Sequence, residues 1–127
     1  METWKEVRDF VIENFDGTYD SDTNTVNALL DVNRDRTQYV EITRIGDTSW
    51  VEISSCIGNV EKNDVLDLLE DLADEPCGGV ICRRGELYVR DTVRYEDIEE
   101  EGIGVSFYRV AKVADKLEKK YVGGDYN

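Results

Sequence analysis

Thr37-Gln38-Tyr39-Val40-Glu41-Ile42-Thr43-Arg44-Ile45, then Gly46-Asp47, then Thr48-Ser49-Trp50-Val51-Glu52-Ile53-Ser54-Ser55-Cys56-Ile57 is the stretch on which the fold turns. Apolar and polar residues alternate on both sides of the glycine. Period two is the spacing of a half-buried strand. A two-residue Gly-Asp loop is a hairpin signal, because glycine supplies positive φ without steric cost. Closing Ile45 on Thr48 sets Ile42 opposite Val51 and Val40 opposite Ile53, so both apolar pairs share one face. The other face then carries Tyr39, Thr43 and Trp50. The same register sets Glu41 opposite Glu52. Like charges across a ladder destabilise it, so the pair is either two solvated glutamates eased by Arg44 or a carboxylate dyad.

A second hairpin follows the same logic. Val80–Arg83 and Glu86–Val93 flank Arg84-Gly85. Closing Arg83 on Glu86 pairs Cys82 with Leu87 and Val80 with Val89, and leaves Ile81 and Tyr88 together on the opposite face. Upstream, Val26, Ala28, Leu30 and Val32 alternate with more polar neighbours and predict another strand.

Three helices complete the pattern. Trp4–Phe15 carries an apolar stripe through Trp4, Val7, Phe10 or Val11, and Phe15, with Thr3 and Glu6 spaced as a capping box. Asp16-Gly17 is expected to end it, the glycine taking the left-handed turn. A second helix is expected over residues 59–74, capped by Asn59 or Asn63 and stopped before Pro76. Its apolar residues span an arc of roughly 160° at about 100° per residue, wider than one buried stripe requires. The surplus is either a partner face or the lining of a deep groove. The last helix is expected over residues 105–121, with Phe107, Val110, Ala111, Ala114, Leu117 and Tyr121 on one side. The acidic run Glu96-Asp97-Ile98-Glu99-Glu100-Glu101 precedes it as a solvated lead-in.

The reading is therefore a single α+β domain over residues 1–121, an antiparallel sheet with flanking helices in the order α-β-β-β-α-β-β-α. Residues 122–127 form a flexible tail. The first and third helices are expected to cover one sheet face.

Composition narrows function. The 127 residues carry 15 Lys and Arg against 29 Asp and Glu, a net charge of −14, and no histidine. Absence of histidine removes His-based general bases, proton shuttles and metal ligands. The negative charge argues against nucleic-acid and anionic-membrane partners. It also suits a saline interior, with arginine outnumbering lysine. Three cysteines, Cys56, Cys77 and Cys82, build no even disulfide framework and no four-ligand zinc site. Cys77, in a Pro-Cys-Gly-Gly loop, is the thiol expected to be exposed. The N-terminus has no signal-peptide core and no segment reads as a membrane span, so a cytoplasmic protein is expected.

Familiar motifs fail in detail. Asp20-x-Asp22-x-Asn24 begins like a calcium loop, but Thr25 stands where the sharp turn needs glycine. Gly102-x-Gly104 and Gly123-Gly124 lack phosphate-loop context. No catalytic set, metal site or cofactor is expected.

The C-terminal third adds a resemblance. Leu87-Tyr88-Val89-Arg90-Asp91-Thr92-Val93, Tyr95-Glu96-Asp97-Ile98 and Phe107–Leu117, which includes Val113-Ala114-Asp115-Lys116-Leu117, are similar to the last strand, acidic linker and closing helix of the YbjN-like family. That family has the type III secretion chaperone-like fold. The resemblance implies a helix-flanked antiparallel sheet, homodimers, and a non-enzymatic role: chaperones of this fold hold an extended partner segment, and YbjN-like proteins are linked to regulation.

The leading expectation is thus an acidic, homodimeric protein-binding module using Tyr39, Trp50, Ile81 and Tyr88 on the sheet face away from the core pairs, unless a helix covers that face. Binding by strand addition at a free edge is a further possible mode. The alternative is a small-ligand protein or carboxylate-dependent enzyme using Glu41 and Glu52.

Overall fold

The computed structural model describes residues 1–123 of the chain. Helix α1 spans Trp4–Phe15, as the stripe and cap predict. Thr3 Oγ1 accepts the Glu6 amide at 3.1 Å, satisfying one of the free donors of the first turn. The helix ends on Asp16 itself, which takes the left-handed conformation at φ 52°. Gly17 has a different task from the one expected: a Cβ there would lie 2.7 Å from Val26 Cγ1. It lets the chain leave the helix pressed against the sheet.

Six strands follow: β1 (Thr18–Asp20), β2 (Thr25–Asn33), β3 (Arg36–Arg44), β4 (Trp50–Gly58), β5 (Gly79–Arg83) and β6 (Glu86–Arg94). They form one antiparallel sheet in the order β1-β2-β3-β4-β6-β5. The class is the α+β architecture expected, with one short strand more than the sequence pattern gave. The failed calcium motif is the β1–β2 turn. Asp20 Oδ1 accepts the Asp22 amide, and Tyr19 Oη donates to Asn24 Oδ1 at 2.8 Å. Asp20 and Asn24 thus serve the turn through their side-chain oxygens.

The second hairpin has the expected register: Arg83 opposite Glu86, Cys82 opposite Leu87, Ile81 opposite Tyr88, and Val80 opposite Val89. The first is corrected by two residues. Ile42 pairs with Ile53, and Arg44, not Ile42, stands opposite Val51. The loop closes between Ile45 and Trp50, whose backbone groups bond at 2.9 Å. The Thr48 hydroxyl donates to the Ile45 carbonyl and accepts from the Trp50 amide, so Thr48 and Ser49 belong to the turn, not the strand. A shift of two preserves parity, and Val40, Ile42, Val51 and Ile53 all remain fully buried on one face.

The second helix is half its expected length. Residues Lys62–Asp64 make a single 3-10 turn, and α2 occupies only Val65–Leu72, without a side-chain cap. Its buried line is narrow: Leu68 is fully enclosed, while Leu66 is 74% exposed and Leu69 40%. The surplus apolar arc is therefore solvent-facing. After another 3-10 turn at Tyr95–Asp97, α3 runs from Glu100 to Tyr121 and starts five residues before the position expected. Glu100 and Glu101 lie in its first turn, where acids favour the positive end of the helix dipole. The two glycines do not break it.

All the expected α3 core residues except Tyr121 are fully or nearly fully buried; Tyr121 packs at the margin. Helix α3 lies across β2, β3, β4 and β6, and α1 packs on β1 and β2. Phe15 joins the two helices by stacking on Phe107, with ring centroids 5.2 Å apart. At the tail, the Val122 and Gly123 amides both bond to the Glu118 carbonyl. Residues 124–127 of the expected tail lie outside the described residues.

Candidate functional site: the helix-free face of the sheet

Strand alternation assigns the second sheet face. Residues pairing as Leu29–Tyr39, Asn27–Glu41–Ser54, Thr43–Glu52, Cys56–Tyr88 and Ile81–Tyr88 point away from the buried set. Among the described residues no helix is laid over them. Leu29 is 50% exposed, Tyr39 54% and Trp50 44%. Ile81 and Tyr88 are half-buried, side by side across the β5–β6 ladder.

A groove of about 490 Å³ runs over the middle of this face. It brings Tyr39 and Tyr88 together with Asn27, Glu41, Ser54 and Cys56. Trp50 and Ile81 share the face but do not line the groove. Trp50 stands at its far end, opposite Arg94 and near the exposed Ile45.

The carboxylates are not the facing dyad expected. With the register moved by two, Glu41 stands opposite Ser54 and Glu52 opposite Thr43. Glu52 is almost fully buried, and both its oxygens are taken. Arg83 Nη2 donates to Oε1 at 2.5 Å and Arg90 Nη1 to Oε2 at 2.9 Å. Arg44, expected to ease the pair, instead donates its Nε to the Thr48 carbonyl. Glu41 is half-buried, and desolvation raises its pKa. Arg83 works against that rise and Glu52 adds to it.

In the groove lining, Cys56 Sγ lies 3.7 Å from Glu86 Oε2. Burial, with Glu86 adding to it, pushes the Cys56 thiol up to about 11. Burial likewise raises the Tyr88 phenol, with Cys56 and Glu86 as further causes. Such a thiol is protonated at neutral pH and is a poor nucleophile. Cys77 is corrected from exposed to half-buried, with its pKa pushed up to about 11 by burial and by Asp91. Cys82 is the exposed thiol.

A second cleft, of about 530 Å³, adjoins the groove and shares Glu41 with it. Arg44, Arg83, Arg84 and Arg90 converge there. This cluster escaped the sequence reading because its members come from three strands and a turn. Only the β3-β4-β6-β5 order brings them together. Among the described residues no group of three or more Cys, Asp or Glu side chains could hold a metal ion, and no helix is long and apolar enough to cross a membrane.

Sequence comparison finds no matching family model and no matching curated protein. Solved structures do match. The chain is similar to a chain of the HopA1–SchA chaperone–effector complex, with a TM-score of 0.66 at 9% identity, covering 91% of this chain and 94% of that one. It is similar to YbjN from E. coli, with a TM-score of 0.61 at 13% identity, covering 93% and 91%. At such identities the likeness is one of fold, and it is the fold that the C-terminal motifs implied.

Proposed function

We propose that the chain is a non-enzymatic protein-binding module, one domain over residues 1–121, which receives a partner segment on the helix-free face of its sheet. The observation that carries this reading is the segregation of the layers. Every packed helix lies on the Val40–Ile42–Val51–Ile53 side, while the opposite face presents Leu29, Tyr39, Trp50 and Tyr88 around a groove. Amphipathic rings on a grooved face give large contact area at low entropic cost, which suits recognition. One structural neighbour comes from a chaperone–effector complex, which supports a protein partner. The binding residues of the proposal are Tyr39, Trp50, Ile81 and Tyr88. The working unit is a cytoplasmic homodimer, with no cofactor.

Affinity capture from native extract tests the site. Partners held by the wild-type chain and released by Tyr39→Ala/Tyr88→Ala support it; partners held equally by both chains overturn it. Light scattering tests the dimer, and a monomer at high concentration removes that part of the proposal.

A further inference from the structure

We propose that the arginine cleft beside the groove is a carboxylate-binding subsite, and that the partner is an extended peptide carrying an acidic side chain next to an aromatic or branched apolar one. This rests on the reading of the helix-free face as a peptide site, and specifies its ligand. The chain as a whole carries −14, yet four arginines line this cleft against two carboxylates, Glu41 and Glu52.

The charges do not cancel in place. Glu52 is shared by Arg83 and Arg90. The hydrogen bond of the Arg44 guanidinium goes to a neutral carbonyl. Arg84 is exposed at the tip of the β5–β6 turn, held there at φ 52°. Among the described residues, neither Arg44 nor Arg84 forms an ion pair. Glu41, the remaining acid, is disfavoured as an anion by its burial. The cleft therefore holds a surplus of positive charge inside a negative protein.

Arginine forks match planar carboxylates through paired hydrogen bonds. A carboxylate reaching the cleft meets the arginine charge that Glu52 leaves uncompensated, and only local contact overcomes the repulsive field of the whole chain. Geometry sets the companion residue. On β4, Cys56 and Ser54 line the groove and Glu52 lines the cleft. Same-face positions on a strand lie about 7 Å apart. An extended peptide lying along the sheet therefore places an apolar side chain between Tyr39 and Tyr88 and its acid two to four residues away, over Arg44 and Arg84.

The experiment selects binders from a displayed library of random linear peptides on the full chain, on Arg44→Glu/Arg84→Asp, and on Tyr39→Ala/Tyr88→Ala. Circular dichroism verifies that each is folded. The expected result is enrichment of Asp or Glu near an aromatic or branched residue. Affinity for those peptides should drop about tenfold or more in the arginine variant. Added salt should weaken the same peptides, and Lys-bearing peptides should take their place in the variant. Peptides that need Tyr39 and Tyr88 but show no acid preference overturn the subsite and leave the binding face standing. Peptides indifferent to both variants, or none at all, overturn both readings. Two further results overturn the peptide assignment: single-stranded RNA held through Arg44 and Arg84 in preference to acidic peptides, or a chain whose mass in solution halves in the arginine variant, which makes a second copy the occupant.

Discussion

Arg36 Nε donates a 2.6 Å hydrogen bond to Asp115 Oδ1, linking the first residue of β3 to the last turns of α3 across 79 positions of sequence. The same guanidinium reaches Glu118 Oε1 at 3.4 Å. Both acids are buried, Glu118 completely. Removing the cation leaves carboxylates enclosed without their counter-charge, which is far more costly than lacking the network altogether. Arg36→Ala is expected to cost about 3 kcal/mol in urea unfolding, and Arg36→Met/Asp115→Leu/Glu118→Leu, which removes every charge of the network, less. A loss for Arg36→Ala within about 0.5 kcal/mol, the range of ordinary surface changes, counts against the network as a clamp.

The two sides of α2 should respond differently. Leu68 is fully enclosed, so Leu68→Ala removes apolar contacts and opens a cavity, at a cost of about 2–5 kcal/mol. Leu66 is 74% exposed, and Leu66→Ala should change stability by less than about 0.5 kcal/mol. Equal losses in thermal or denaturant unfolding refute the assignment of the exposed side.

Glu41 sets a pH dependence of definite sign. Its folded pKa is raised, chiefly by burial. A carboxyl raised in this way contributes fully to stability while protonated, below its unfolded pKa, and that contribution is lost as the pH climbs through the folded value. Glu41→Gln should therefore match the wild type in acid and exceed it at neutral pH. Melting curves at acid and neutral pH check this, and a variant less stable at neutral pH contradicts it.

Thiol labelling should separate the three cysteines. Cys82 is exposed, whereas Cys56 and Cys77 are half-buried with pKa values near 11. A disulfide reagent at mildly alkaline pH should modify Cys82 quickly and the other two only on unfolding. Cys82→Ser should abolish the fast phase. Fast labelling that survives in Cys82→Ser contradicts the burial of the remaining pair.

Local chemistry explains which features could be read from the chain. The Val80–Val89 register was legible because Arg83 and Glu86 flank a two-residue turn with nothing to compete. At Gly46 the Thr48 hydroxyl builds its own turn, and hydrophobic parity constrains a register only to within two residues. That slip is what invented the facing glutamates. Strand β1 was lost because three residues are too few to show a period, although the turn-forming Asp20–Asn24 cluster beside Thr-Tyr could have marked it. Gly102 and Gly104 hid the first turn of α3, since glycine propensity is a weak guide where Ile103 is fully buried. Tyr39 and Tyr88 share the outer face because alternation carries across neighbouring strands. The arginine cleft depends on β4 pairing with β6, a long-range choice that no local pattern encodes.

Helix α3 roofs the four central strands of the sheet, and it is translated after all of them. On the ribosome, Ile42, Ile53, Val51 and Val89 emerge before Phe107 and Val110, the α3 residues that share their core. Strand pairing can begin early, but the nascent sheet keeps an adhesive underside until α3 is made. A stalled ribosome near Glu99 therefore releases an aggregation-prone ribbon, not a smaller stable protein.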